Sequence, residues 1–346
     1  MSAIPQTMKA ATVTADHWIK VTEIPTPQPG SGEVLIRVHA AGINPTDWKH
    51  AKYLSPPDVI SGCDWAGTVV QVGTNVESVK TGDRLAGTVH GGKFKNQGAF
   101  SEYTIADPLV SFKLPEHISY EEGASLGIPL FTAAQALYHR LELPEPSLRS
   151  GNGKAVLIWS AATAVGIHAV QLAKLSGLTV YATASPSNFE YLKSIGADHL
   201  FDYNEADVGQ KIREAAGDSL AHGLDCISTE QTVTSALTAF GKEGGQLVTL
   251  LAFQKASPRP EVKVTLTLLY TALGKEVELR GTTFPASPQD RAFHERWERI
   301  VGEDLLVNNK IQFMPIEKRQ GLESIDGIFK DVIDGKNRRL KYIVTL

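Results

Sequence analysis

The sequence predicts an α/β protein in which a β-rich region is followed by a doubly wound parallel sheet. Three observations predict it. Up to about Ser119 the chain runs as short apolar strands broken by turn residues. From Ala155 strand-length apolar runs alternate with helix-length amphipathic ones, the pattern of right-handed β-α-β crossovers. From about Lys275 a strand, a helix and a last strand, ending on Tyr342–Thr345, have the mixed character of a return to the first region. The predicted division is therefore 1–128 with 275–346, and 129–274.

The early strands are Ala10–Val13, Glu33–His39, Ala66–Val72 and Arg84–Val89, punctuated by Pro25, Pro27, Pro29, Gly30, Gly62, Gly73 and Gly82. Gly73-Thr-Asn, between Val70-Gln-Val and Val76, has hairpin chemistry because glycine supplies a positive φ. Helical periodicity begins in Glu121–Leu126 and Leu130–His139. The alternating part then reads strand Ala155–Trp159, helix Val165–Leu175, strand Thr179–Thr183 and helix Asn188–Ser194. It continues with strand His199–Phe201, helix Val208–Ala215, strand Gly223–Ile227, helix Val233–Phe240 and strand Gly245–Leu251.

Composition excludes several function classes. With 34 basic and 38 acidic residues, net charge -4, the chain offers nucleic acid or an anionic membrane no electrostatic footprint. The cluster Lys336–Asn337–Arg338–Arg339 reads as a solvated turn before the final strand. Two cysteines, Cys63 and Cys226, fit a reducing compartment and no disulfide framework. The first residues lack the apolar core of a signal peptide, and no run approaches the ~20 apolar residues of a membrane span. A cytoplasmic protein is expected.

The strongest local signal is Ala155 through Lys174: an apolar strand, a turn of small residues and an amphipathic helix. Such a turn sets backbone N–H groups and a positive helix end against a pyrophosphate. Its Ser160-Ala-Ala-Thr-Ala-Val-Gly166 keeps only the last glycine of the usual three, where it serves close helix–strand packing. A plain turn without ligand reads the same residues nearly as well. The next strand ends in Ala182-Thr-Ala-Ser-Pro-Ser-Asn188, without the acid that would accept from a ribose 2′-hydroxyl. Thr183, Ser185, Ser187 and Asn188 offer neutral donors there, and Lys193 adds a charge one turn on, which favours NADPH. Ser187 or Asn188 also suits a helix cap.

A catalytic zinc needs a Cys, a His and a third ligand converging with one open position. The ten histidines show no ligand-like pairing, and His50, His90, His139 and His168 read as surface or packing residues. No metal site is expected.

Several ordered motifs together resemble the medium-chain dehydrogenase/reductases. They are Gly42-Ile-Asn-Pro-Thr-Asp-Trp-Lys49, Gly62-Cys-Asp-Trp-Ala-Gly67, Gly73, Val79-Lys-Thr-Gly-Asp-Arg84 and Gly98-Ala-Phe-Ser-Glu-Tyr103. Leu114-Pro115, the small-residue turn, Lys193-Ser-Ile-Gly-Ala-Asp198, Phe201-Asp-Tyr203 and Lys341-Tyr342 follow, so the resemblance covers nearly the whole chain. Asn44-Pro45 stands where zinc relatives place their first cysteine ligand, and Cys63-Asp64 replaces their His-Glu, as in the zinc-free quinone oxidoreductase branch. The Ser-Pro-x-Asn loop, the Pro144-Glu-Pro146 insertion and the glycine-poor turn are similar to fungal trans-acting enoyl reductases that partner polyketide synthases.

The resemblance implies a GroES-like β-rich catalytic domain, a Rossmann domain and a nicotinamide held between them. It implies that Thr46, Asp47, Trp48 and Lys49 line the nicotinamide and that Ala162, Thr163, Ala164 and Val165 cradle the pyrophosphate. Ser185, Pro186, Ser187, Asn188 and Tyr203 would surround the 2′-phosphate, with Leu250, Leu251 and Lys341 nearby. Leu126, Ile128, Leu130, Phe131, Thr132, Leu269 and Tyr270 would shape the substrate pocket; ordinary core or an oligomer seam explains these apolar runs equally well. Trp48 is larger than the residue expected there and would narrow the pocket or stack on substrate. Lys49 is the candidate for polarising or protonating the substrate, with a ribose contact or a surface lysine as its plainer role, and Thr132 a weaker candidate. Val277-Glu-Leu-Arg-Gly281 resembles the strand by which relatives dimerise, although the enoyl-reductase group includes monomers.

Three functions follow. The first is NADPH-dependent reduction of an activated C=C bond in a hydrophobic or carrier-bound enoyl substrate, with a polyketide synthase as partner. The second is quinone or small-enone reduction. The third is a relative without redox turnover, acting as an isomerase, a cyclase or a binding protein.

Overall fold

The computed structural model describes residues 3–147, 151, 153–279, 281–337 and 339–346. Arg280 of the Val277–Gly281 strand and Arg338 of the basic cluster lie outside the described residues. The chain forms two compact units, 1–128 with 270–346, and 129–269.

In the first unit the strand Val34–Gly42 organises a seven-stranded sheet. It pairs antiparallel with Asp64–Val72 along one edge. Along the other edge its first half pairs with Tyr103–Ala106 and its last residues with Lys341–Thr345. The chain thus closes on a strand far away in sequence. The interior is filled by Ile36, Val38, Trp65, Val69, Phe100 and Phe329, all nearly inaccessible. This is the barrel-like packing expected of strands with one apolar face.

The turn at Gly73 differs from the expected hairpin. Val76 is in no strand, and the connection to the antiparallel strand Arg84–Thr88 runs from Gly73 to Asp83. The positive φ falls on Asn75 and Gly82 instead. Gly73 is needed because a Cβ there would lie 1.9 Å from the Gly30 carbonyl oxygen. Gly73→Ala is accordingly expected to cost about 1–3 kcal/mol, as overpacking does, read as a lower midpoint in urea with an unchanged m-value.

The second unit holds six parallel strands. In space the unit's third, second, first, fourth, fifth and sixth strands lie side by side, the doubly wound order. The sixth, Val262–Leu266, was not expected, because its residues alternate with lysine and threonine rather than forming an apolar run. Beneath the sheet Leu157, Trp159, Ile212, Val233, Leu237, Phe240 and Leu247 form the core. Helix Leu130–His139 is realised as an α-helix, Gly127–Ala134, that widens into a π-turn over Gln135–Arg140.

The last segment contains more than the expected strand, helix and strand. Val277–Leu279 folds back on Thr282–Phe284 as a two-stranded hairpin. Helix Pro288–Ile300, strand Ile316–Gln320, helix Ile325–Ile333 and strand Lys341–Thr345 follow. Among the described residues no helix is long and apolar enough to cross a membrane.

Candidate functional site

Two groups of residues carry the chemistry, one in each unit. In the second unit the strand Ala155–Trp159 turns into the helix Ala164–Leu175 through Ser160, which takes a φ of 60°. A non-glycine residue in that region stores strain of order 1–3 kcal/mol and is commonest at working sites. The turn is held by Thr183, whose hydroxyl accepts from the Ser160 amide at 2.9 Å while its carbonyl accepts from the Ala161 amide at 2.8 Å. Thr163 caps the helix, accepting from the Gly166 amide at 3.1 Å. Gly166 meets the turn so closely that a Cβ would lie 2.6 Å from the Ala161 backbone. Ala162, Thr163, Ala164 and Val165 are partly exposed. In the first helical turn the amides of Ala164 and Val165 have no preceding turn of carbonyls to bond, so they can face a phosphate.

At the end of the next strand, Thr179–Ala184, three side chains converge. Asn188 Nδ2 donates to Ser185 Oγ at 2.9 Å, and Ser185 Oγ lies 3.3 Å from Ser187 Oγ. Asn188 stands at the N-cap of the following helix without a side-chain cap bond. Thr183, expected as a further donor, is fully buried and committed to the Ser160 turn. Pro186 and Ser187 are exposed, Tyr203 is 43% exposed just past its strand, and Lys193 is exposed one turn on. Leu250 is partly exposed and Leu251 40% exposed at the end of Gly245–Thr249. The Leu250 amide donates to Ser228 Oγ at 2.8 Å, and Ser228 also has a left-handed φ.

In the first unit a short helix, Pro45–Tyr53, begins at Asn44 with proline in its first turn. Asp47 reaches back, its Oδ2 accepting from the Asn44 amide at 2.6 Å. The Asn44 side chain donates to Asp64 Oδ2 at 2.8 Å and accepts from Lys341 Nζ at 2.5 Å. Lys341 also pairs with Asp64 Oδ2 at 3.1 Å, and Asp64 Oδ1 accepts from the Ile128 amide at 2.7 Å. Side chains of this ion pair are 3% and 0% exposed. Lys341, expected beside the cofactor, thus has its ammonium engaged inside the unit. Asn44, Asp64 and Lys341 are thus joined by hydrogen bonds inside the unit.

One cation faces two buried carboxylates. Burial, reinforced by neighbouring Asp64, pushes the Asp47 carboxyl up to about 7 despite the Asn44 amide that it accepts from. Among the described residues its buried Oδ1 has no hydrogen-bond partner. Cys63 is fully buried; burial, and then Asp47, hold its thiol in the protonated form. Its Sγ is 3.4 Å from the Tyr270 hydroxyl, which is 3.1 Å from Thr46 Oγ1. Thr46 Oγ1 is 3.2 Å from His50 Nε2, and His50 Nδ1 is 3.1 Å from the Gly91 carbonyl oxygen. His90 stacks on Tyr270 at 3.9 Å between ring centres. Burial keeps His50 and His90 neutral.

Of the other expected residues, Trp48 and Lys49 are partly exposed on the same helix, with Lys49 Nζ 5.7 Å from the Trp48 ring centre. Leu126, Leu130 and Phe131 lie fully inside, as the core reading has it, Leu269 is 5% exposed, and Ile128 is partly exposed. Thr132 is 7% exposed on its helix in the second unit. Tyr270 belongs to the buried cluster just described rather than to an open apolar wall. The sequence reading did not anticipate the cluster. Its one local signal was His50 four residues after Thr46, one turn on along a helix. Among the described residues no group of three or more His, Cys, Asp or Glu is placed to hold a metal ion.

The alcohol dehydrogenase GroES-like domain model matches residues 30–116, and the zinc-binding dehydrogenase model matches residues 164–301. A trans-enoyl reductase of Alternaria alternata is 38% identical over 96% of this chain and 96% of its own. The chain belongs to the trans-enoyl reductases, within the medium-chain dehydrogenase/reductases. Another trans-enoyl reductase, from Pyricularia oryzae, is 35% identical over 93% of each chain. The crystal structure of the CurK enoyl reductase has the same fold, with a TM-score of 0.79 at 22% identity over 99% of both chains. The quinone oxidoreductase of Pseudomonas syringae pv. tomato gives 0.79 at 21% identity over 98% of this chain and all of the other. Membership makes the protein a nicotinamide-dependent oxidoreductase built of a GroES-like and a Rossmann-type domain.

Proposed function

We propose that this protein is an NADPH-dependent enoyl reductase, acting on a conjugated C=C bond of a polyketide-type substrate presented by a partner synthase. The relationship to trans-enoyl reductases along the full chain carries this reading. The donor set agrees with it. The Asn44 amide and the Asp64 carboxylate are already engaged by the Lys341 ammonium, which leaves them hydrogen-bonded rather than open to a metal ion.

The pyrophosphate would lie on the amides of Ala164 and Val165, and the 2′-phosphate among Ser185, Ser187 and Asn188. An acid at this strand end would repel that phosphate; two hydroxyls and an amide donate to it. When bound, the reduced nicotinamide supplies the hydride that adds to the β-carbon of the substrate. The chain then has to stabilise the enolate oxygen and deliver a proton to the α-carbon. Lys49, charged and partly exposed beside Trp48, is assigned the oxygen.

Selectivity for the cofactor tests the reading at its first step. Ser185→Ala/Asn188→Ala removes two hydrogen bonds to a charged group, worth about 1.5–3 kcal/mol each, so NADPH affinity should fall about 100-fold or more. NADH affinity should barely change. Fluorescence titration with both nucleotides reads this directly. Equal binding of NADPH and NADH by the unaltered protein would refute the 2′-phosphate assignment.

A further inference from the structure

We propose that the exposed end of the helix Pro45–Tyr53 binds the phosphate-bearing pantetheine arm of a carrier-linked substrate, with Tyr53 against the arm and Lys52 and Lys93 on its phosphate. The inference rests on the enoyl-reductase reading, and adds to it the part of the chain that holds the carrier's arm.

One row of the helix connects this end to the residue assigned the enolate oxygen. Thr46, Lys49 and Tyr53 recur at i, i+3 and i+7, so they lie one above another. The first of them is closed in, because Thr46 Oγ1 lies 3.1 Å from the Tyr270 hydroxyl and 3.2 Å from His50 Nε2, both on buried residues. The last is open. Tyr53 is 59% exposed, the most exposed large apolar side chain among the described residues. With the substrate's carbonyl oxygen at Lys49, the thioester arm leaves along the row toward Tyr53. That ring is braced: it stands edge-on to Trp48, centres 6.2 Å apart, and Trp48 packs on the core of the unit. The large residue at position 48 therefore has a structural use, holding an exposed phenol in place.

Cations gather around the ring. Lys52 Nζ lies 5.4 Å from its centre. The segment His90–Gln97 comes to the same end of the helix, where a Cβ on Gly92 would lie 3.3 Å from His50 Cβ. Its next residue, Lys93, is half-buried and, after burial itself, helps to keep His50 neutral. Phe94 follows, with Lys275 Nζ 4.5 Å from its ring centre. Acids are missing from these two elements. Asp47, the one acid of the helix, is buried, and His90–Gln97 contains none. The helix packed alongside, Ile325–Ile333, has its Asp326 and Asp331 paired with Lys330 and Lys336. A chain with net charge -4 thus has a local excess of positive charge here. Lysine holds a phosphate as a point charge, and a phenol offers an apolar face and a hydroxyl to an arm of methyl groups and amides.

The experiment measures kcat/KM at saturating NADPH for one trans-2-enoyl group carried as its N-acetylcysteamine, pantetheine and 4′-phosphopantetheine thioesters. The proteins are wild type, Lys52→Gln/Lys93→Gln and Tyr53→Ala. Wild type should favour the phosphopantetheine over the pantetheine thioester about tenfold, the order expected of two exposed ion pairs. The lysine double variant should lose that preference, chiefly through KM, and wild type should lose it at about 1 M salt, where charges are screened within about 3 Å. Tyr53→Ala should lower kcat/KM for both pantetheine-bearing thioesters about fourfold relative to the N-acetylcysteamine thioester, as burial of roughly one methylene on the ring would give. Lysines that only complement the helix C-terminus would instead act on all three thioesters alike. That result, a raised KM for NADPH in the double variant, or a wild type indifferent to the arm's phosphate overturns the proposal alone. A wild type that binds NADPH and reduces none of the three overturns the enoyl-reductase reading, and the proposal with it.

Discussion

Lys341→Met should destabilise the protein by about 3–5 kcal/mol, the cost of removing one partner of a buried ion pair. The side chain is 3% exposed and its ammonium holds Asn44 and Asp64 together, so its loss leaves Asp64, among the described residues, with the Asn44 amide and the Ile128 N–H. Solvent screening is absent at this depth, which is why the effect should exceed that of the exposed pairs, such as Lys9–Glu323 at 63% and 67%. Adding Asp64→Asn removes the stranded charge while keeping a carbonyl oxygen for one of the two donors. The double variant should therefore be less destabilised than the sum of the two single changes. Urea denaturation of the four proteins measures this. Additivity within about 0.5 kcal/mol would show that the two groups do not act as a pair.

Lys49→Met should lower kcat for an enoyl thioester about 10²–10³-fold, as loss of one preorganised oxyanion donor does. Methionine keeps most of the length and apolar body of the side chain, so its packing beside Trp48 should change little. The plainer role of Lys49, a contact to the cofactor ribose, predicts a different split. In that case the Kd for NADPH rises while kcat at saturation is nearly kept. Steady-state kinetics at saturating and limiting nucleotide separates the two.

The fold was largely legible because its signals are local. A strand, a small-residue turn and an amphipathic helix follow one another from Ala155 to Leu175, and the alternation that follows determines the parallel sheet. The loop Ser185–Asn188 was legible for the same reason, since its three side chains lie within four residues. Gly73 was recognised as special but for the wrong cause: its partner, the Gly30 carbonyl, is distant in sequence, and a close approach leaves no local pattern. The sixth parallel strand was missed because Lys263 and Thr265 interrupt its apolar face.

The buried cluster was least legible, again because of distance along the chain. Asn44, Asp64, Tyr270 and Lys341 come from a helix start, a strand, the short 3-10 helix Leu269–Leu273 and the last strand. The sequence reading expected Asp47 to line the nicotinamide and Lys341 to lie near the 2′-phosphate. Their burial, and the pairing of Lys341 with Asp64, leave no local pattern along the chain.

Isotope tracing of the product tests the central claim most directly. The purified protein is given 4-deuterated NADPH, deuterium on the face that is transferred, with a trans-2-enoyl thioester in ordinary water. The saturated thioester is then examined by mass spectrometry and NMR. Enoyl reduction predicts one deuterium per product molecule, at the β-carbon, and in the complementary run in heavy water with unlabelled NADPH one at the α-carbon. A protein that binds NADPH tightly yet yields no saturated thioester, and leaves all of the label on the nucleotide, would contradict the account.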